Sequence, residues 1–306
     1  MALILVLGLN PVASADVPIG REHVISVYSP AMGRSIPIWV LPATTAGRPV
    51  VYLLSGVDGG ELGGSWTQRS DIASFFADKN VNVVVPLAGR SSYYTDWIAD
   101  DPVLGRNKWA TFLTRELPPV IDSTLDTSGR NAIAGLSMSA LSVLNLAIES
   151  PGLYQAVGSF SGCAQTSDPL AQALVFSQVA NYGGNALNMW GPPGAPAWAD
   201  HDAWLHADRL RGTTLYISAG TGLPGPHENL NAAEINGNFQ ALVDRITVGG
   251  LFEAIVNRCT TPFVDRLRAL GVPATVNLHP TGSHLWPYWQ DDIHNAWPTL
   301  AAAVGA

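Results

Sequence analysis

The chain alternates between two kinds of hydrophobic pattern. Short apolar runs without charge, which are typical of buried strands, are separated by segments in which apolar residues recur at helical spacing. After an antiparallel-looking pair of strands, this alternation predicts an α/β fold with a mostly parallel central sheet and helices on both faces. The predicted strands are residues 23–28, 36–41, 49–54, 80–86, 131–136, 154–160, 213–219 and 273–278, and the predicted helices include residues 71–78, 109–121 and 140–148.

One predicted strand ends in a motif that points to chemistry. Strand 131–136 runs into Gly-Leu-Ser-Met-Ser, and helix 140–148 follows at once. A serine in a tight turn between a strand and a helix is a nucleophile elbow. The strained turn needs small residues two positions before and after the serine, and Gly135 and Ser139 meet this need. Such pentads also occur by chance, but the flanking strand and helix favour Ser137 as a nucleophile, with the start of the helix favouring negative charge beside it.

Composition narrows the class of protein. The 306 residues are 47% hydrophobic and 13% charged, as in a compact chain, and we expect residues 16–306 to form one α/β domain. The net charge of −8 argues against binding to nucleic acid. No apolar run reaches the roughly 18 residues of a membrane span. The histidines show no metal-ligand spacing with Cys, Asp or Glu, so we expect neither a metal nor another cofactor.

The first residues are predicted to be a targeting signal. Residues 2–9 are apolar and residues 13–15 read Ala-Ser-Ala, which matches a cleavage site, so residues 1–15 are predicted to be a signal peptide. No Lys or Arg precedes the apolar run, and a buried N-terminal strand is the alternative. In an exported protein Cys163 and Cys259 could form one disulfide, although their spacing does not show that they meet.

Two further segments are predicted to border Ser137. The glycine-rich loop 55–60 follows an early strand, where enzymes with a nucleophile elbow provide an oxyanion donor. We expect the main-chain N–H groups of Val57 and Met138 to be the two donors, and the alternative for this loop is an ordinary glycine turn. Residues 169–210 are rich in Gly, Pro and Trp and are predicted to form a cap over the site.

The residues that would activate the serine follow it in the chain, in the order Ser, then Asp or Glu, then His. His284 lies after the last strand, in a loop whose glycine and aromatic residues can hold an imidazole. His279, at the strand end, is expected to be structural, and His294 is expected on a solvated helix face. The acid that orients the histidine is expected after the strand 213–219 and can be either Asp or Glu, and the residues alone leave this choice open. The candidates are Glu228, Glu234, Asp244 and Glu253.

Several longer stretches carry a more specific signal than any single motif. They include SPAMGR at residues 29–34, SSYYTDW at 91–97, FLTRELP at 112–118, GLSMS at 135–139 and GSHLWPYW at 282–289. Together they resemble the antigen 85 mycolyltransferases, which are secreted cell-envelope acyltransferases of mycolate-containing actinobacteria. The resemblance covers nearly all of the mature chain and implies an α/β-hydrolase fold.

The resemblance also implies roles for individual residues. The serine and histidine of the family's Ser-Glu-His triad fall on Ser137 and His284. Its glutamate lies in a Phe-Leu-Glu-like run, which Leu251-Phe252-Glu253 matches, so the resemblance favours Glu253 as the acid. Its oxyanion-hole position falls on Val57, beside Met138. We expect substrate contacts from Asp58, Gln165, Leu285 and Trp286.

The implied reaction moves a mycolyl or other long-chain acyl group between trehalose esters and sugar hydroxyls through an acyl-enzyme. A secreted monomer with a glycolipid substrate and peripheral contact with the cell envelope is expected. Ser55 and Asp58 replace the family's Asp and Arg, and residues 220–253 are longer than usual and could form an extra lid. These departures keep two alternatives open. One is a carboxylesterase, and the other is a non-catalytic envelope-binding paralogue, against which the intact Ser137, Glu253 and His284 argue.

Overall fold

The computed structural model describes residues 20–232 and 234–306, so the predicted signal peptide lies outside the described residues. The described chain forms an eight-stranded sheet in the order β1-β2-β4-β3-β5-β6-β7-β8. The first two strands and the contact between β2 and β4 are antiparallel, and the other neighbours are parallel. The strands are β1 (His23–Ser29), β2 (Arg34–Leu41), β3 (Arg48–Leu54), β4 (Asn82–Pro86), β5 (Thr127–Leu136), β6 (Tyr154–Phe160), β7 (Thr214–Ala219) and β8 (Thr275–Leu278).

Helices connect and cover these strands. They are α1 (Trp66–Arg69), α2 (Ile72–Phe76), α3 (Trp109–Thr111), α4 (Leu117–Leu125), α5 (Met138–Glu149), α6 (Pro169–Asn181), α7 (Leu187–Trp190), α8 (Pro196–Asp200), α9 (Phe239–Asp244), α10 (Gly250–Ala269) and α11 (Trp286–Val304), with π-helical turns at Phe112–Glu116 and Arg245–Gly249 and a 3₁₀ turn at Ala207–Leu210. The predicted helix 109–121 is therefore divided. Two prolines at the start of α4 lack the N–H groups that would continue regular α-helical bonding from α3.

Side chains of the central strands alternate between two hydrophobic layers. In β3, Val50, Tyr52 and Leu54 pack on the side of α5, and Val51 and Leu53 pack on the side of α11. This two-residue period gives each face of the sheet its own core, because successive side chains of a strand point to opposite faces. Helix α11 covers the second layer with a stripe at helical spacing, formed by Trp289, Ile293, Ala296, Leu300 and Val304. The predicted α/β fold is confirmed.

The parallel strands bring distant loops to one edge of the sheet. The loops that follow β3, β5, β6, β7 and β8 all leave from the carboxyl ends of strands, which is where open α/β sheets place their sites. Within the described ranges, no helix is long and apolar enough to cross a membrane.

Candidate active site

Ser137 occupies a strained turn between β5 and α5. Its backbone angles are φ 54° and ψ −119°, a conformation that residues other than glycine rarely adopt. A Cβ atom at Gly135 would lie 2.6 Å from both the carbonyl oxygen and the Oγ of Ser139, so position 135 needs glycine. The Ser139 hydroxyl accepts from the N–H of Leu136 (2.9 Å) and lies 2.9 Å from the carbonyl of Leu54, which ties the turn to β3.

Three side chains from different parts of the chain meet at this turn. His284 Nε2 lies 2.8 Å from Ser137 Oγ, and His284 Nδ1 lies 2.7 Å from Glu253 Oε2. The histidine side chain is 10% exposed and that of Glu253 1%. With the proton on Nδ1, the imidazole donates to Glu253 and its Nε2 accepts from the serine hydroxyl. This is the geometry in which an imidazole can take a proton from a serine.

The Glu253 carboxylate is held by three donors. Its Oε2 faces His284, and its Oε1 accepts from Ser161 Oγ (2.8 Å) and from the N–H of Gly220 (2.7 Å). Ser161 and Gly220 directly follow β6 and β7, so two strand ends fix the acid that α10 carries. Sequence reasoning missed both residues, and their positions directly after buried strands were the available signal.

Aromatic rings and a backbone bond fix the imidazole. The N–H of His284 donates to the carbonyl of Gly249 (3.0 Å). The ring of Phe252 lies 5.0 Å away between centroids, and that of Trp289 lies 4.9 Å away and nearly perpendicular. The expectation that aromatic residues near this loop hold the imidazole agrees with the contact to Trp289, which packs against the histidine from α11.

The other candidate histidines pair elsewhere. His279 Nε2 lies 2.8 Å from Asp292 Oδ1, and this hydrogen bond is the main reason that the pKa of His279 is raised. His294 Nε2 lies 2.9 Å from Asp71 Oδ1, and its ring stacks on Phe75 at 3.9 Å. His294 is therefore half-buried between two elements rather than on the solvated face that we expected, because the neighbouring helix α2 covers its ring.

The other candidate acids also have separate partners. Glu234 pairs with Arg245, and Asp244 accepts from Gln240 Nε2 at 2.8 Å. Glu228 is buried and accepts from the Ser283 hydroxyl, the Tyr288 hydroxyl and the N–H of Gly225. Of the four candidates, Glu253 is the one whose carboxylate is hydrogen-bonded to the ring of His284.

The predicted oxyanion donors lie in two segments that adjoin Ser137. A Cβ atom at Gly56 would be 3.7 Å from the Cβ of Ser137, so the loop carrying Val57 passes beside the serine. The carbonyl of Val57 accepts from the N–H of Ser91 (2.8 Å), which fixes this loop. Met138 is the first residue of α5, where an N–H has no partner within the helix.

The predicted substrate-contact residues have different surroundings. Asp58 accepts from the N–H groups of Gly60 (2.9 Å) and Gly64 (2.7 Å), so its carboxylate holds its own loop. Trp286 packs edge-on against the rings of Trp66 and Trp289, at 5.5 and 5.4 Å. Gln165 is half-buried in the loop after β6, and Leu285 is the residue before α11.

A small apolar pocket opens beside Ser137. Helix α6 forms one wall, in agreement with the predicted cap, and α10 forms another. Cys163 lines the cavity and forms a disulfide with Cys259 of α10, with 4.8 Å between their Cα atoms. The lining residues are Tyr93, Ser137, Met138, Leu141, Ser161, Cys163, Thr166, Ala171, Leu174, Val175, Gln178, Phe252 and Val256. In the part of the chain that the structure describes, no group of three or more His, Cys, Asp or Glu residues could hold a metal ion.

Comparisons with known proteins show the family to which the chain is similar. Residues 29–300 match the family described as "Putative esterase". Two relatives are from Mycobacterium leprae (strain TN). The diacylglycerol acyltransferase/mycolyltransferase Ag85A is 31% identical over 316 residues, which covers 100% of this chain and 90% of that protein. Ag85B, of the same description, is 32% identical over 286 residues, which covers 90% of this chain and 82% of that protein.

Solved structures share the fold at lower identity. MPT51 (FbpC1) of Mycobacterium tuberculosis has a TM-score of 0.74 at 24% identity, over 94% of this chain and 99% of that one. An S-formylglutathione hydrolase from Agrobacterium tumefaciens has a TM-score of 0.66 at 16% identity, over 92% of this chain and 95% of that one. The esterase family and the acyltransferase relatives support an enzyme that transfers acyl groups. The chain therefore belongs to the antigen 85 mycolyltransferase family, within the esterases of the α/β-hydrolase fold.

Proposed function

We propose that this protein is a secreted serine acyltransferase that moves a mycolyl or other long-chain acyl group from a trehalose ester to trehalose or a cell-wall sugar hydroxyl. The observation that carries the proposal is the hydrogen-bonded series of Ser137, His284 and Glu253 beside an apolar cavity. A reactive hydroxyl next to an apolar cavity suits an ester whose acyl part is a hydrocarbon chain.

The reaction begins with attack of Ser137 Oγ on the ester carbonyl carbon, while His284 Nε2 takes the hydroxyl proton. The carbonyl oxygen becomes an oxyanion, which the N–H groups of Val57 and Met138 stabilise. The bond to the sugar oxygen then breaks, and His284 returns the proton to that oxygen. The products of this half-reaction are a free sugar and an acyl group esterified to Ser137.

The second half-reaction repeats these steps with a new alcohol. A sugar hydroxyl gives its proton to His284 Nε2 and attacks the acyl carbon, and the bond to Ser137 breaks. Glu253 keeps the imidazole in the productive tautomer and stabilises it when it is protonated. Water in place of the sugar would give hydrolysis, so transfer requires an acceptor that is positioned better than water.

The disulfide supports secretion. Disulfides persist in oxidising compartments and are rare in the cytosol, so the bond between Cys163 and Cys259 agrees with export directed by residues 1–15. The proposed mature protein is a monomer that forms one domain over residues 16–306 and contacts the envelope peripherally, where its glycolipid substrate lies.

Ester hydrolysis is the second candidate function. Both oxygens of Asp58 are engaged by loop N–H groups, which reduces what this side chain can offer a sugar acceptor. Incubation with trehalose monomycolate and labelled trehalose, followed by mass spectrometry of the lipids, separates the candidates. We expect labelled mycolyl esters with the wild type and none with Ser137→Ala. Free mycolic acid alone, unaffected by added trehalose, would identify a hydrolase.

A further inference from the structure

Glu228 is a second buried carboxylate close to His284, and it has no role in the proposed reaction. We propose that Glu228 is a positioning residue, which holds the loop that carries His284 so that the imidazole stays in line with Ser137. This inference rests on the proposed function, because it assigns a role in the same site. It concerns the loop 280–284 and the segment 220–228, which passes beside it.

The two segments are joined backbone to backbone. The N–H of Gly222 donates to the carbonyl of Gly282 (2.8 Å), and the N–H of Gly282 donates to the carbonyl of Leu223 (2.7 Å). A Cβ atom at Gly225 would lie 2.5 Å from the Tyr288 hydroxyl, and Gly282 has a φ of +117°, which side chains rarely allow. Glycine at these positions lets segment 220–228 lie directly against the histidine loop.

The carboxylate of Glu228 completes this contact. Its Oε1 accepts from the hydroxyl of Ser283, the residue before His284, and its Oε2 accepts from the Tyr288 hydroxyl and from the N–H of Gly225 at 2.7 Å. Glu228 is 8% exposed. A buried carboxylate is costly unless it is hydrogen-bonded. These three donors offset that cost, and two of them join the carboxylate to the residue before His284 and to the first turn of α11.

A neighbouring pair holds the same segment from outside. His227 Nε2 lies 2.7 Å from Asp291 Oδ2, and its ring meets that of Tyr288 edge-on at 4.7 Å. Segment 220–228 is therefore fixed to α11 by His227 and to the loop by Glu228. The two buried glutamates serve one histidine in different ways, since Glu253 bonds to its ring and Glu228 to the residue that precedes it.

Kinetics with a soluble ester test this role. We would measure kcat and KM for p-nitrophenyl butyrate, the rate at which a p-nitrophenyl phosphonate labels Ser137, and the melting temperature. The variants are Glu228→Ala, Glu228→Gln, Ser283→Ala and the double variant of Glu228→Ala with Ser283→Ala. Glu234→Ala is the matched control, because Glu234 lies in the same long segment but pairs with Arg245 and not with a residue of the loop.

Because a displacement of about 1 Å can cost a hundredfold in rate, we expect Glu228→Ala to lower kcat and the labelling rate about 10- to 100-fold. KM should change less than about twofold, and Glu228→Gln, which can keep part of the hydrogen bonding, should fall between Ala and wild type. The double variant should lose less than the product of the two single losses, because both remove the same hydrogen bond. The control should keep the wild-type kcat.

A wild-type kcat in Glu228→Ala, or a loss confined to KM, would overturn the inference while leaving the proposed function intact. If Glu228→Ala does not fold, unchanged labelling rates in Glu228→Gln and Ser283→Ala would overturn it equally. A wild-type protein that neither turns over the ester nor reacts with the phosphonate would instead overturn the proposed function, and the inference with it.

Discussion

Two of the histidine–carboxylate pairs near this edge of the sheet invite comparison, because they have nearly the same length. His284 and Glu253 are 2.7 Å apart, and His279 and Asp292 are 2.8 Å apart. They differ in the ring nitrogen that faces the acid. His284 uses Nδ1 and leaves Nε2 for Ser137, whereas His279 uses Nε2 for its carboxylate.

The difference shows that a buried histidine–carboxylate pair is not by itself a catalytic device. Burial raises the pKa of Asp292, and the hydrogen bond to Asp292 raises the pKa of His279. Both groups therefore bind a proton more tightly than they would in water. The pair joins the end of β8 to α11. The pair at His284 acquires chemistry from a third member, a serine in a strained turn that places its hydroxyl at the free ring nitrogen.

The largest difference in kcat is expected between replacement of His284 and replacement of His279. His284→Gln and Ser137→Ala should each lower kcat by about a million-fold, because the nucleophile and its base act as one unit. His279→Gln should keep kcat within about threefold, since its ring is bonded to Asp292 and not to Ser137. Hydrolysis of p-nitrophenyl butyrate measures all three. Comparable losses at His279 and His284 would contradict the distinction between the pairs.

Replacement of Glu253 should also lower kcat far more than replacement of Asp292, although the difference should be smaller than that between the two histidines. Glu253→Gln should lower kcat about ten-thousandfold, because the amide favours the wrong imidazole tautomer. Asp292→Asn should lower the melting temperature and leave kcat nearly unchanged, because it weakens the bond between β8 and α11. Steady-state kinetics beside thermal melting separates the two effects. A kinetic loss at Asp292 as large as that at Glu253 would show that both pairs serve the reaction.

The sequence predicted the sheet and the elbow well, because both depend on local patterns. Buried strands such as Arg48–Leu54 contain continuous apolar runs, and the need for small residues around Ser137 is set by the turn itself. Helix ends were less predictable. The predicted helix 140–148 begins at Met138, and the predicted helix 71–78 is shortened to Ile72–Phe76.

The choice among the acids could not be made from local pattern. Glu228 and Glu253 both lie between β7 and β8 and both are buried close to His284, so only tertiary packing separates them. Family resemblance favoured Glu253, and the structure gives that residue the hydrogen bond to the ring. The disulfide could not be predicted for the same reason, since Cys163 and Cys259 are 96 positions apart and the segment between them carries no signal that they meet.

Removal of the disulfide should affect the pair of His284 and Glu253 and not the pair of His279 and Asp292. The disulfide joins Cys163, in the loop after β6, to α10, the helix that carries Glu253, whereas Asp292 lies on α11. Replacement of both cysteines by serine should lower the free energy of unfolding by about 2–5 kcal/mol. It should also lower kcat by less than about tenfold, because Ser161 and Gly220 still hold Glu253. Chemical denaturation and ester kinetics measure the two effects.

The smallest effect is expected in the pH dependence of stability. The pKa of His279 is raised in the folded protein, mainly by its hydrogen bond to Asp292, so folding takes up protons at this site. The stability that this gives is complete below the ordinary histidine pKa of 6.5 and is lost as pH rises through the higher folded value. The raised pKa of Asp292 acts with the same sign at lower pH.

Between about pH 6 and about pH 8.5, the melting temperature of the wild type should therefore fall further than that of His279→Gln. Asp292→Asn is the matched variant, because it removes the other member of this pair, and its melting temperature should likewise fall less than that of the wild type. Parallel profiles for the wild type and His279→Gln would show that His279 binds its proton equally in the folded and unfolded chains, and would contradict this prediction.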